Sequence, residues 1–268
     1  MERDASFAGS IPAVYDRYLG PLIFAPYASD LAARLAILRP VRVLETAAGT
    51  GMVTRALAET LPEDVSIDAT DLNQPMLDYA ARQFSSSRVT WQQADALALP
   101  FADAAFDVVV CQFGVMFFPD KGKAFSEARR VLKPDGCFLF NVWDRIEENE
   151  FPDTVMQALA VVFPHDPPTF MARTPHGYHD IVEISKELRR AGFTNTMVDT
   201  VSKESKAQSP REPAVGFCQG TPMRNEIEAR DPTRLTEATD AAEAALTLRF
   251  GGGVVIGKIK AHVFTAYR

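Results

Sequence analysis

The chain has 268 residues, of which 47% are hydrophobic, and its formal net charge is −7 at pH 7. This acidic balance argues against a nucleic-acid-binding surface, because neutralising phosphates requires a clustered excess of Lys and Arg. The cysteines, Cys111, Cys137 and Cys218, are widely spaced and form no CxxC pair, so neither a disulfide framework nor a zinc site is indicated.

Residues 1–38 are predicted to form an N-terminal helical cap. The first residues are polar, and no run in the chain approaches the roughly 18 apolar residues that a membrane span requires. We therefore expect a soluble, cytoplasmic protein. Residues 11–27 are aromatic-rich and broken by prolines and Gly20, and an amphipathic helix is predicted over residues 28–38. Tyr15 and Tyr18 share a helix face, which either lies over a ligand or docks in an apolar groove.

A short apolar strand over residues 41–44 runs into a turn of small residues, Glu45-Thr46-Ala47-Ala48-Gly49-Thr50-Gly51, and then into a helix over residues 52–61. Small side chains let a ligand approach the backbone, and glycines permit positive φ. The helix directs its unpaired N–H groups and positive dipole end toward the turn. The turn predicts a ligand site, although the same residues would also suit a tight βα turn that binds nothing.

Two further strands are predicted to end on an acid. The strand over residues 65–71 ends on Asp71, twenty residues beyond Gly51, where a β-α-β unit places a carboxylate that accepts hydrogen bonds from ribose hydroxyls. The alternative is that Asp71 caps the helix that starts near Pro75. The strand over residues 89–93 leads to Asp95, which we expect to be exposed at its carboxyl end.

The alternation of strands and helices continues along the chain. Near-continuous apolar residues predict buried strands over residues 106–113 and 137–143, with a helix over residues 121–132 and a turn at residues 133–136 between them. Such strict alternation predicts the α/β class, with a doubly wound, mostly parallel sheet and right-handed crossovers.

The pattern loosens after residue 143, where prolines interrupt short helical pieces such as residues 153–162. A helix over residues 181–191 and strands over residues 193–203 and 254–267 follow, which completes seven strands, and residues 210–250 are predicted to be largely helical. We expect a single domain, residues 1–268, with its cofactor-binding core at residues 41–143 and helical lid insertions at residues 144–180 and 205–250. The lid residues Phe151, Phe163, Phe170, Met171, Phe217 and Met223 would either close over an apolar substrate or pack against the sheet.

The loop that carries His176, His179 and Asp180 is the nearest approach to a metal-ligand cluster. It is better explained as the entry to a helix with Asp180 in its first turn. We therefore predict no metal site.

The residues described above match, in order and at suitable spacing, a known set of motifs. The turn resembles the acidic-x-Gly-x-Gly-x-Gly motif of the class I S-adenosylmethionine-dependent methyltransferases, Asp71 resembles their ribose-binding acid, and Asp95 with Ala96 resembles the pair that meets the adenine. Residues 130–136 resemble the segment before the fifth strand in the small-molecule branch, which includes the ubiquinone and menaquinone biosynthesis type. The resemblance covers residues 41–143 and implies a Rossmann-like methyltransferase fold.

The resemblance also implies an activity. It implies transfer of a methyl group from S-adenosyl-L-methionine to O, N or C of a small, partly apolar molecule by in-line displacement, mainly through proximity and desolvation. The implied cofactor-binding residues are Glu45, Ala47, Gly49, Gly51, Asp71, Leu72, Met76, Asp95, Ala96, Leu97, Gln112 and Phe113. No general base is picked out by spacing, and Tyr15 and Tyr18 are the candidate catalytic residues.

Two departures from glycine motifs are informative. Ala47 replaces the first glycine of the family turn, so we expect it to keep φ negative. Thr54 stands where the third glycine of a dinucleotide motif would fall, which weakens an NAD interpretation because that glycine permits close helix–strand packing.

Two alternatives remain open, namely a non-catalytic S-adenosylmethionine-binding regulatory module and an NAD(P)-dependent oxidoreductase. The sequence does not identify the acceptor or the oligomeric state.

Overall fold

In the computed structural model, which describes residues 11–268, seven strands form one sheet. The strands are β1 (Arg42–Glu45), β2 (Ser66–Asp71), β3 (Val89–Gln93), β4 (Phe106–Gln112), β5 (Leu132–Trp143), β6 (Asn195–Ala207) and β7 (Val255–Tyr267). Their order across the sheet is β3-β2-β1-β4-β5-β7-β6, and the pairs from β3 to β5 are parallel. The predicted α/β class with a doubly wound, mostly parallel seven-stranded sheet is confirmed.

Helices separate the strands along the chain, except between β3 and β4, which follow each other directly. They are α1 (Ile11–Val14), α2 (Ala25–Ile37), α3 (Met52–Thr60), α4 (Gln74–Gln83), α5 (Lys121–Val131), α6 (Glu150–Val162), α7 (Phe170–Arg173), α8 (Ile181–Arg190), α9 (Arg211–Gln219), α10 (Met223–Arg230) and α11 (Leu235–Phe250). The helix α11 has 16 residues. Within residues 11–268, every helix is too short or too polar to cross a membrane.

The start of the described chain differs from the sequence prediction. The sequence predicts breaks at the prolines and Gly20, but residues 11–37 are helical throughout, with a π-helical segment over Tyr15–Phe24 between α1 and α2. In this segment the N–H of Ala25 donates to the carbonyl of Gly20, and the wider turn accommodates Pro21, which has no N–H of its own. The first ten residues of the predicted cap lie outside the described residues.

The chain divides into two compact units, each described by itself. The larger unit comprises residues 27–142, 179–201 and 262–268, and the smaller unit comprises, among the described residues, 11–26, 143–178 and 202–261. The single domain with two lid insertions stays a prediction.

The buried core of the larger unit holds strands β1, β2, β4 and β5 in place, and with them the turns at their carboxyl ends. Val43, Ile67 and Val108 from three of these strands pack with Leu31 of α2 and Leu57 of α3 in one buried cluster. Burial of such side chains stabilises the folded state by about 1.5–3 kcal/mol each. Because the strands are parallel, their carboxyl ends and the turns that follow lie at the same edge.

The strand β5 begins earlier than predicted. Residues 133–136, predicted as a turn, belong to β5 and contain Asp135 at φ 64°. The register shifts between the pairs Phe106↔Leu132 and Val108↔Cys137, so the extra residues form an irregularity within the strand.

The smaller unit is built around helices α6, α9 and α11. Arg249 of α11 donates to Glu150 at one end of α6, and Arg234 donates to the Val162 carbonyl at the other end, so the two helices run antiparallel. The aromatic and methionine residues predicted to line the lids are all buried in the folded chain, namely Phe151, Phe163, Phe170, Met171, Phe217 and Met223. Their burial fits both alternatives that the sequence left open, and the substrate-facing role stays a prediction.

Candidate functional site

The turn after β1 is held by hydrogen bonds to the two neighbouring strands. The N–H of Thr46 donates to the Val110 carbonyl of β4, and the N–H of Ala48 donates to the Thr70 carbonyl of β2, both at 2.9 Å. Ala47, between these two bonds, has φ 54°, so the expectation of a negative φ is wrong. The strand partners impose a left-handed conformation that costs an L-residue about 1–2 kcal/mol.

The two glycines of the turn have different surroundings. Both have positive φ, 57° at Gly49 and 78° at Gly51. A Cβ at Gly51 would lie 2.7 Å from Cη2 of Trp91, whereas a Cβ at Gly49 would meet no atom within 4 Å. Gly51 is therefore required for packing, and Gly49 leaves open space in which a ligand can approach the backbone.

Asp71 ties the end of β2 to this turn. Its Oδ2 accepts a 2.8 Å hydrogen bond from the N–H of Gly49, and its Oδ1 accepts a 2.7 Å hydrogen bond from the N–H of Asn73. Asn73, rather than Asp71, is the N-cap residue of α4, so the helix-capping alternative is wrong. Asp71 is buried, and burial raises the pKa of its carboxyl group despite these hydrogen bonds.

Glu45 carries a second buried carboxyl group at the end of β1. Its Oε2 accepts a 2.5 Å hydrogen bond from the Thr54 hydroxyl, and its backbone carbonyl accepts one from the Thr70 hydroxyl. Burial is the main cause that raises the pKa of Glu45 to about 8, and the nearby Asp71 contributes in the same direction. Within the described part of the chain, no Lys or Arg forms an ion pair with this carboxylate.

The turn after β4 packs directly on the turn after β1. A Cβ at Gly114 would lie 2.5 Å from Cβ of Ala47, so only glycine allows this approach. Phe113 has φ 50°, and its ring meets the ring of Tyr27 edge to face with centroids 5.3 Å apart. Its N–H donates to Oδ1 of Asn141 at 2.9 Å.

Asn141 is a further residue at this edge of the sheet, and no sequence pattern described above predicts it. It is fully buried, and its Nδ2 has no hydrogen-bond partner among the described residues. Asn141 pairs with Gln112 in the β4–β5 register, so its amide lies at the carboxyl edge of the sheet. A lone polar residue at the end of an apolar strand was the available signal, because most buried polar side chains have a specific hydrogen-bond partner, as Oδ1 of Asn141 does.

The residues expected around the adenine lie in the segments that follow the carboxyl ends of β2 and β3. Asp95 is exposed as predicted, and its Oδ1 accepts a 2.9 Å hydrogen bond from the N–H of Leu97. The N–H of Ala94 donates to the carbonyl of Asp71, which connects this loop to β2. Met76 is 3% exposed and Leu72 is 56% exposed, while Ala96 and Leu97 are half-buried.

Contacts and strand pairings thus bring together Glu45, Ala47, Gly49, Gly51, Asp71, Gln112 and Phe113, and the loop at Asp95 adjoins them. Their roles toward a cofactor stay predictions.

The candidate catalytic tyrosines belong to the smaller unit. The ring of Tyr15 stacks on Phe24 with centroids 4.7 Å apart, and the guanidinium of Arg17 lies over the ring of Tyr18. These contacts neither assign nor remove a catalytic role, which stays a prediction.

The histidine-rich loop has structural partners. His176 is buried with its Nδ1 2.8 Å from the carbonyl of Asp144, and Asp180 caps α8 by accepting from the N–H groups of Val182 and Glu183. Over residues 11–268, no group of three His, Cys, Asp or Glu residues is arranged to hold a metal ion.

The arrangement in the larger unit suits a ligand with a cationic group and hydroxyl groups. A buried carboxyl group without an ion-pair partner favours a bound ammonium, since ion pairing offsets the cost of burying the charge. A carboxylate with further lone pairs, such as Asp71, can accept from hydroxyls in addition to its two backbone donors.

Comparisons of sequence bear on this interpretation. The family described as methyltransferase domain matches residues 43–136. Demethylmenaquinone methyltransferase from Thermus thermophilus is 39% identical over 138 residues, which are 51% of this chain and 57% of that protein. An uncharacterised protein from Mycobacterium tuberculosis is 38% identical over 123 residues, 45% of this chain and 44% of that protein. The chain spans about half the length of these curated relatives.

Comparisons of structure agree with the fold. The YcgJ protein from Bacillus subtilis has a TM-score of 0.57 at 20% identity, over 91% of this chain and 98% of that chain. Phosphoethanolamine N-methyltransferase 2 from Haemonchus contortus, in complex with S-adenosyl-L-methionine, has a TM-score of 0.58 at 20% identity, over 96% of this chain and 56% of that chain. At this identity the likeness shows the fold, and the family resemblance predicted from the sequence is confirmed by the sequence matches.

Proposed function

We propose that the chain, whose residues 43–136 match a methyltransferase domain, is a class I S-adenosylmethionine-dependent methyltransferase that transfers a methyl group from S-adenosyl-L-methionine to O, N or C of a small, partly apolar molecule. One observation carries the proposal. Glu45 is a buried carboxyl group with no ion-pair partner among the described residues, since Arg55 acts on it only at longer range, and its turn leaves the backbone open at Gly49. A ligand ammonium group beside Glu45 compensates its charge, and the open backbone gives the ligand access.

The residues of the larger unit fit this cofactor. Glu45 and the turn backbone would hold its amino-acid end, and Asp71 would accept from its ribose hydroxyls. Asp95, Ala96, Leu97 and Met76 would surround the adenine. The cofactor supplies an electrophilic methyl group on a sulfonium. Gln112 and Phe113, at the end of β4, would lie beside that group.

The chain's own contribution is binding, orientation and the exclusion of water. A sulfonium is a good leaving group, so a general base is not required when the acceptor is already nucleophilic. Phe113 is 5% exposed, and its contact with Tyr27 supports a dry environment at the end of β4. Desolvation of this kind strengthens the electrostatic contacts that orient the reactants.

The acceptor, the partners and the location are also proposals. A relative named demethylmenaquinone methyltransferase supports a small acceptor with apolar character. The net charge of −7 supports a partner other than nucleic acid. Three free, buried cysteines support the reducing cytoplasm as the place of action.

The first test is binding. Isothermal titration of S-adenosyl-L-methionine and S-adenosylhomocysteine into the protein should give saturable binding, and Glu45→Gln should weaken it about tenfold or more because a charged contact is lost. The matched control is Glu59→Gln. Glu59 is an exposed residue of α3, the helix that follows the turn, and its substitution should leave affinity unchanged. Absence of saturable binding by the wild-type protein contradicts the proposal.

The second test is turnover. Radiolabelled cofactor incubated with a metabolite extract should transfer its label to an acceptor. Binding without transfer in the extract would favour a regulatory module.

A further inference from the structure

Thr54 occupies a position next to the site that neither the family resemblance nor the proposed cofactor contacts explain. We propose that Thr54 is a positioning residue for the cationic end of the cofactor, because its hydroxyl orients Glu45 and sets the pH range in which that end binds tightly. This inference rests on the proposed function and names a control element within the same site.

The geometry assigns the Thr54 hydroxyl to Glu45. Thr54 is fully buried in the first turn of α3, and its Oγ1 lies 2.5 Å from Oε2 of Glu45. A threonine within a helix commonly bonds the carbonyl four residues earlier. Here the carbonyl of Thr50 accepts instead from Nη1 of Arg55. Among the described residues, Thr54 is the one side chain that donates a hydrogen bond to the Glu45 carboxyl group.

The elements packed against β1 contribute few other charges near Glu45. Asp71 at the end of β2 raises the pKa of Glu45, and Arg55 of α3 lowers it. Cys111 of β4 has a pKa raised to about 12 by burial, so its thiol stays neutral over the range in which Glu45 titrates. The Thr54 hydroxyl therefore supplies the principal hydrogen-bonded compensation for the Glu45 charge before a ligand cation arrives.

The direction of the effect follows from this placement. A hydroxyl that donates to a carboxylate stabilises the charged form, so the Thr54 hydrogen bond lowers the pKa of Glu45 against the effect of burial. Without it, a higher pH is needed before Glu45 is ionised and can pair with an ammonium group. A glycine here, as in a dinucleotide motif, would leave the carboxyl group without its donor.

The experiment compares Thr54→Val, which keeps the shape and removes the hydroxyl, with Thr54→Ser, which keeps the hydroxyl. Thr60→Val, on an exposed threonine of the same helix, is the matched control. Affinity for S-adenosylhomocysteine is measured by calorimetry from about pH 6 to about pH 9, since the ligand's own titration is common to all variants. Thr54→Ala carries the same test if circular dichroism shows that Thr54→Val does not fold.

The expected result is a displaced pH profile. Thr54→Val should bind about threefold to tenfold more weakly near pH 7, and the difference should narrow as pH rises. Thr54→Ser and Thr60→Val should follow the wild-type profile. A merely structural role would lower affinity by the same factor at every pH, and a uniform loss or a superimposed profile overturns the inference.

A second readout does not depend on the cofactor. The ¹³C chemical shift of the Glu45 carboxyl carbon, followed by NMR without ligand, should titrate at a higher pH in Thr54→Val than in the wild-type protein. If the wild-type protein binds no S-adenosylhomocysteine, the proposed function fails. The inference then fails with it, even if Thr54→Val shifts the titration of Glu45. If it binds and the Glu45 titration is unmoved, only the role of Thr54 fails.

Discussion

The backbone N–H of Gly49 donates a 2.8 Å hydrogen bond to Oδ2 of Asp71, so the turn after β1 is fastened to the end of β2. The other oxygen of Asp71 accepts from the N–H of Asn73, which shapes the entry to α4. One carboxylate therefore organises two turns at the same edge of the sheet. Its burial explains why both oxygens are hydrogen-bonded, because a buried charge without donors is costly.

Asp71→Asn should loosen both turns. An amide offers one acceptor oxygen and one NH₂ group, and the NH₂ group would face either the Gly49 or the Asn73 N–H as a second donor. We expect a loss of about 1–3 kcal/mol in the free energy of unfolding, measured by urea denaturation, together with weaker S-adenosylhomocysteine binding. Asp78→Asn, at an exposed residue of α4, is the control. Unchanged stability and affinity would contradict the role assigned to Asp71.

The two turn glycines should respond differently to substitution. Gly51→Ala places a Cβ 2.7 Å from Trp91, so it should destabilise the fold, measured as a lower midpoint of urea denaturation. Gly49→Ala meets no atom of the chain and should cost only about 1 kcal/mol for an alanine at positive φ. Its methyl group enters the space left for the ligand, however, so cofactor affinity should fall more than stability does. Equal affinity in Gly49→Ala and the wild-type protein would show that the ligand lies elsewhere.

The sequence predicted those parts of the site that depend on local pattern. Period-two and apolar runs located the seven strands, and the twenty-residue spacing from Gly51 located Asp71 at the end of β2. Parallel strands end at one edge, so acids at strand ends could be grouped without knowing any contact.

The features that the sequence did not predict depend on non-local contacts. The positive φ of Ala47 is imposed by hydrogen bonds to Val110 and Thr70 on two other strands. Asn141 meets Phe113 only because of the β4–β5 register. The π-helical segment over Tyr15–Phe24 keeps a proline within a helix, which local propensity disfavours. The type of a residue does not by itself indicate which distant residues it will contact.

The contact between the turns after β1 and β4 predicts that a substitution in one turn partly restores the stability lost by a substitution in the other. Gly114→Ala should destabilise the protein by about 1–3 kcal/mol, because its Cβ would lie 2.5 Å from Cβ of Ala47 and 2.7 Å from Sγ of Cys111. Ala47→Gly removes one of these clashes and relieves a positive φ, so the double variant should recover part of the loss in urea denaturation. Gly253→Ala, where a Cβ meets nothing within 4 Å, is the control. Additive effects of the two substitutions would contradict direct contact.

Glu45 makes the stability of the ligand-free protein depend on pH. Its folded-state pKa, about 8, lies above the ordinary value of 4.5, so the stabilisation is fully present below about pH 4.5 and is lost as pH rises through about pH 8. Glu45→Gln cannot ionise, and the difference in the free energy of unfolding between wild type and this variant should shift in favour of the variant across that window. The slope should approach about 1.4 kcal/mol per pH unit while one proton is bound in the folded state and none in the unfolded state. Urea denaturation at successive pH values measures it, and Glu59→Gln should show no such trend.

A bound ammonium group lowers the pKa of Glu45, so saturating S-adenosylhomocysteine should flatten the wild-type slope, and a slope unchanged by ligand would place the cationic end away from Glu45.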